Sequence, residues 1–225
     1  MFAALPSDHW YEPKEPEGIT ALNTSFGRLG SGSFNFAQDY ERANMVFREL
    51  RKHSIAKTEA NIIILPETIA GRLNDTGMEL WRDEIQKLIP DKTVLFGAEL
   101  PASDGRRYDN AVILLHDGKM SVTYQRIPVP YSMYRGYFAE TGARLHFLDS
   151  GVHDLADGRK AAVIICYEAF LTWPYLVSMI HSPDVIVCSA NLWWCKDTSL
   201  PLVQKTAVSL WALTFGVPAV FAWNI

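Results

Sequence analysis

Cysteine is scarce in this chain of 225 residues: only Cys166, Cys188 and Cys195 occur, with no C-x-x-C pair among them. A sparse, odd set excludes a disulfide framework and a structural zinc site, and predicts a reducing, cytoplasmic compartment. Long blocks of one charge are missing too. The formal net charge is −4 and the densest basic run, RELRKH, falls on a predicted helix, so nothing here is a footprint for nucleic acid. No apolar run has the length of a membrane span. The start, MFAALPSDHW, lacks the basic and apolar regions of a signal peptide. The glycine stretch FGRLGSGSF is spaced G-x-x-G-x-G, which fits neither a dinucleotide fingerprint nor a Walker loop, and it reads as a flexible turn. With no ligand spacing and no phosphate loop, no metal or organic cofactor is expected.

The rest of the composition suits a globular domain. Hydrophobic residues make up 48% and charged residues 20%, enough for a sizeable core in one domain. Residues 1–18, which include the proline-rich EPKEPEG, read as a linker or N-terminal extension. Residues 19–225 read as a single domain.

Period and punctuation predict its elements. Short apolar runs bounded by proline or turn residues predict strands at Ile19 to Asn23, NIIIL, KTVLFGAEL, AAVIIC, PDVIVCSAN and GVPAVFAWNI. NAVILLHDGKMSVTYQRI predicts a hairpin that turns at Asp117-Gly118. Helical spacing of Ala43, Val46, Phe47 and Leu50 predicts a helix from Asp39 to about Ala56. Further helices are predicted over Gly77 to Leu88, Thr172 to His181 and Leu202 to Phe215. The loop VPYSMYRGYFAETGARLHF is rich in aromatics and reads as a lid or a partner patch. Alternating strands and helices around central hairpins predict a layered α/β domain, with helices covering packed sheets.

Three apolar runs stop at a polar residue: IIILPE at Glu67, VIIC at Cys166 and VIVCSAN at Asn191. Strand ends are where α/β sheets assemble their sites. For Cys166 two readings stand, a small apolar thiol packed in a strand or a nucleophile presented at its end. A nucleophilic thiol needs a base. None of the six histidines (His9, His53, His116, His146, His153 and His181) falls at a strand end facing it. A partly buried carboxylate can serve instead, and Glu67 is the candidate. The N–H of Tyr167, next after the thiol, is the natural donor to an oxyanion. Glu168 reads as a helix-start carboxylate favoured by the dipole. Cys188, inside a strand, and Cys195 read as structural.

ILPET around Glu67, YQRIPVP and ICYEAF resemble the nitrilase superfamily of carbon–nitrogen hydrolases. ICYE is similar to the apolipoprotein N-acyltransferase branch. YQRIPVPYSMY, ICYEAFLTWP and PDVIVCSANLWW look closest to the nitrilase-like domain of conjugal-transfer TraB proteins. The resemblance implies a four-layer α-β-β-α sandwich, a Glu-Lys-Cys triad and chemistry on an amide or acyl carbonyl through a thioester. On it, Glu67 is the general base, Cys166 the nucleophile and Glu168 the carboxylate that supports the triad cation, while Asn191 and Trp193 lie near the pocket. It also implies subunits that pair as homo-oligomers. No lysine stands in YQRIPVP. Counting from Tyr124 puts Arg126 in its slot, and counting back from Pro130 puts Gln125 there; Arg126 is taken as the oxyanion cation. Arginine holds charge but does not readily move a proton. A hydrolase or acyl transferase is therefore one expectation, and a retired binding or assembly module of conjugal transfer the other. The acyltransferases carry membrane helices ahead of this domain, so MFAALPS would be the tail of an anchor if the chain is a piece of a membrane-associated protein.

Overall fold

The computed structural model describes residues 14–27, 36–55, 59–136 and 139–225. Most of the glycine stretch FGRLGSGSF and the segment MFAALPS lie outside them. In chain order the elements are β1 (Ile19–Ala21), α1 (Phe36–Ile55), β2 (Ile62–Ile64), α2 (Asp75–Leu88), β3 (Thr93–Pro101), β4 (Arg107–His116) and β5 (Lys119–Tyr124). There follow β6 (Gly142–Ala143), β7 (Val152–Asp154), β8 (Lys160–Ile165), α3 (Thr172–Met179), β9 (Val185–Asn191), α4 (Leu200–Phe215) and β10 (Ala219–Asn224).

The strands form two sheets. One runs β1-β2-β3-β4-β5, with β6 added beside β4, and the other runs β10-β9-β8-β7. In the first, β1, β2 and β3 are parallel, and β3, β4 and β5 form antiparallel hairpins; in the second, β8, β9 and β10 are parallel.

Side-chain alternation builds the layers. In β2 and the residue after it, Ile63 and Leu65 face α1 and α2, joining Val46, Leu50, Trp81 and Ile85. Ile62 and Ile64 face the other way, against Val163, Ile165 and Val187 of the second sheet. In that sheet Ile164, Ile186 and Cys188 turn outward under Tyr175 of α3 and Val208 of α4. Strands buried on both faces need unbroken apolar runs, which explains IIIL and VII. The result is the four-layer α-β-β-α sandwich. Cys188 is fully buried core, and Cys195 is buried against Ala190 and Leu192. Among the described residues no helix is long and apolar enough to cross a membrane.

Hydrogen bonds tie the two sheets together at the strand ends. Ser189 Oγ donates to the Leu65 carbonyl at 3.0 Å, and Gln125 Nε2 donates to the Ile165 carbonyl at 3.0 Å. The ends of β2, β5, β8 and β9 are thereby brought together.

Candidate active site

Glu67 sits two residues beyond the apolar run of β2, after Pro66. The chain there still follows β3: Leu65 N–H donates to the Leu95 carbonyl at 2.7 Å, and Gly97 N–H to the Pro66 carbonyl at 3.1 Å. The approach is close. A Cβ on Gly97 would lie 2.4 Å from the Thr68 nitrogen and 2.5 Å from Glu67 Cα. Glycine inside a strand often marks such a contact. Thr68 itself has φ of 50°, so a tight turn aims the Glu67 carboxyl between the sheets.

That carboxyl is 3% exposed. Its Oε1 accepts from Asn110 Nδ2 at 2.6 Å, and its Oε2 accepts from the Asn191 N–H at 3.0 Å. Burial raises it from 4.5 to about 7, against the pull of hydrogen bonds from the Cys166 thiol, Asn110 and Asn191. A carboxyl raised to about 7 beside a thiol can take a proton from it and return one.

Cys166 follows the last residue of β8 and opens a 3₁₀ turn, Cys166–Phe170. Its φ is 47°, a left-handed backbone that L residues other than glycine seldom adopt. Strand and turn meet at a sharp corner that turns the half-buried thiol toward Glu67. Burial pushes the thiol well above its ordinary range, the Glu67 charge adds to this, and an N–H from Asn191 opposes it.

The third position corrects the sequence expectation. Gln125, fully buried, lies beside the pair: its Oε1 accepts from the same Asn110 Nδ2 that binds Glu67, at 2.9 Å, and its Nε2 reaches the carbonyl before the thiol. Arg126 points elsewhere. Successive residues leaving β5 face opposite ways, and the guanidinium enters the layer under α3. There it donates to Glu168 Oε2 at 3.2 Å, the Val163 carbonyl at 2.9 Å, the Pro174 carbonyl at 2.8 Å and Ser178 Oγ at 2.7 Å. None of its bonds goes to Cys166 or Glu67, so it is not the cation of the thiol site. Glu168 supports this arginine rather than a lysine. It also accepts from the N–H groups of Arg126, Ile127 and Ile165 at 2.5, 3.1 and 3.0 Å. The pair ties the turn after Cys166 to the end of β5.

Asn191 joins the site twice. Besides its N–H to Glu67, its Nδ2 donates to Thr68 Oγ1 at 2.8 Å, and its Oδ1 accepts from Asn224 Nδ2 at 3.0 Å. Tyr167 and Trp193 are half-buried, Trp193 at the start of a second 3₁₀ turn. Sequence reasoning missed Asn110 and Gly97. A polar residue opening the apolar run NAVILL and a glycine inside the strand VLFGAEL were the available signals.

No family model matches the chain. It is 34% identical over 222 residues to the conjugal transfer protein TraB of Agrobacterium fabrum, an alignment covering 96% of this chain and 50% of that protein. It is 36% identical over 167 residues to a probable TraB of Sinorhizobium fredii, covering 72% and 42%. Among solved structures, a carbon-nitrogen hydrolase from Helicobacter pylori superposes with a TM-score of 0.69 at 12% identity, over 92% of this chain and 73% of that one. An amidase from Nesterenkonia sp. gives 0.67 at 12%, over 92% and 75%. The chain has the nitrilase fold and is a relative of the TraB proteins. It spans about half the length of the curated relatives it matches. The likeness to the two hydrolases is one of fold.

Proposed function

We propose that this chain is the nitrilase-like part of a conjugal transfer protein and works as a cysteine-dependent acyl transferase or hydrolase. One observation carries the reading: the Cys166 thiol, held on a left-handed backbone, faces a buried carboxyl that burial raises to about 7. Such a backbone costs about 1–3 kcal/mol and is kept where geometry matters to function.

In the reaction, the Glu67 carboxylate takes the thiol proton as sulfur attacks an amide or ester carbonyl. The carbonyl electron pair moves to oxygen, where the Tyr167 N–H receives it. Collapse expels the amine or alcohol, which takes the proton back from Glu67 and leaves a thioester on Cys166. Water or an amine, deprotonated by Glu67, then attacks; collapse releases the thiolate, which is reprotonated. With neutral Gln125 in the third position, the oxyanion rests on N–H donors, which favours activated acyl groups over plain amides.

The test is mass spectrometry of the intact protein after exposure to p-nitrophenyl acetate. One acetyl group on Cys166, absent in Cys166→Ala and in Glu67→Gln, is expected. A wild-type protein that iodoacetamide alkylates at Cys166 but the ester never acylates would sink the reading. A second reading, a retired site kept for binding, is favoured by one fact: both ends of the Gln125 amide are already engaged by the protein.

A further inference from the structure

Gln204 stands out on α4. The adjacent Leu202 and Val203 are 67% and 49% exposed, yet Gln204 is completely buried. Its Nε2 donates to the carbonyl oxygen of Cys166 at 2.6 Å. Its Oε1 has no hydrogen-bond partner among the described residues. Exchanging the amide's two ends would set oxygen against oxygen, so the donor must face the carbonyl. A leucine there would remove the unmet acceptor but would also take the donor away from the Cys166 carbonyl, so the amide is tied to that one bond.

The bond has a geometric consequence. Across a trans peptide the carbonyl and the following N–H point in opposite directions in one plane. Fixing the Cys166 carbonyl therefore fixes the Tyr167 N–H. Rotation of this peptide would change ψ of Cys166 and φ of Tyr167, and the bond from Gln204 opposes it. We propose that Gln204 is a positioning residue for acyl transfer: by holding the Cys166 carbonyl from α4, it keeps the Tyr167 N–H aimed at the developing oxyanion. This rests on the acyl-transfer reading above. It goes further by making α4 part of the machinery. Whatever shifts α4 then tunes transition-state stabilisation without touching the thiol.

Two reagents separate these effects. Iodoacetamide alkylates the thiol by displacing iodide from a saturated carbon, with no oxyanion. p-Nitrophenyl acetate acylates it through a tetrahedral oxyanion, releasing p-nitrophenol. Rates at Cys166 are measured by mass spectrometry for the wild type, Gln204→Leu and Gln204→Glu. Acylation should fall about tenfold or more in Gln204→Leu, in the direction of losing an oxyanion donor, while alkylation changes by less than about twofold. Gln204→Glu supplies the rescue. Its carboxylate cannot donate to the carbonyl but its protonated form can, so its acylation-to-alkylation ratio should climb toward the wild-type ratio as pH falls. Equal loss of both reactions, or a ratio in both variants like that of the wild type, overturns the proposal. If Gln204→Leu does not fold, the pH dependence of Gln204→Glu decides alone. A wild type that alkylates but never acylates removes the acyl-transfer reading and this inference with it. A wild type that acylates, beside a Gln204→Leu that acylates as fast, removes only the role of Gln204.

Discussion

Gln125 and Glu67 share one donor: Asn110 Nδ2 lies 2.9 Å from the Gln125 Oε1 and 2.6 Å from the Glu67 Oε1. A neutral amide thus stands beside the carboxyl where the nitrilase resemblance leads one to expect an ammonium. Gln125→Lys puts the cation back. A positive charge there favours the thiolate, so Cys166 should ionise at lower pH. Its alkylation near neutral pH should rise by about tenfold, in step with the thiolate fraction. The check is the pH profile of iodoacetamide labelling, and an unchanged midpoint would count against the placement of Gln125.

Burial of Glu67 sets a pH dependence of stability. Its folded value is about 7 and its ordinary value 4.5, so between them the native state keeps a proton that the unfolded chain has released. Stability from this group is therefore full below the lower value and declines as pH rises to the upper one, by ~3 kcal/mol in all. Glu99, also raised by burial, acts in the same direction. Comparing wild type with Glu67→Gln isolates the first effect. Urea midpoints measured from pH 4.5 to 8 should decline less steeply in the variant.

Arg126 and Glu168 form an ion pair with no exposure on either side. Removing one partner strands the other, so Arg126→Met should cost about 3–5 kcal/mol. The double variant Arg126→Met/Glu168→Gln should recover part of that, since a glutamine oxygen still accepts from the backbone N–H groups of residues 126 and 127. Chemical denaturation of the four proteins in the cycle tests this. Unaltered stability in Arg126→Met would contradict the buried position.

Gly97→Ala adds a methyl group where the turn bearing Glu67 presses on β3. The turn must move, and overpacking of this kind costs about 1–3 kcal/mol. Because Glu67 shifts with the turn, labelling of Cys166 by iodoacetamide should slow as well. A variant as stable and as reactive as the wild type would show that the contact is not tight.

Much of the fold is legible in the sequence. IIIL and VII are apolar without interruption because their strands carry a helix layer on one face and a sheet on the other, and sequence alone exposes that double burial. The same punctuation that ends those runs puts Glu67, Cys166 and Asn191 at strand ends, so the gathering of a carboxyl and a thiol at one edge was also within reach. Element limits were less sharp: α1 starts at Phe36 rather than Asp39, and β4 at Arg107 rather than Asn110.

Tertiary structure alone decided the third position and the supporting shell. Gln125 and Arg126 are neighbours whose side chains leave the strand on opposite sides, and counting from either end of YQRIPVP selects a different one. The packing of two sheets sends the amide to Asn110 and the Ile165 carbonyl and the guanidinium under α3. Gln204 is one of four polar residues in LPLVQKTAVSLWAL, 38 residues from the carbonyl it holds. Nothing local marks it, because a hydrogen bond between a helix and a distant turn exists only once the layers have closed. Sequence determined which residues could do chemistry here; the approach of the layers determined which of them face one another.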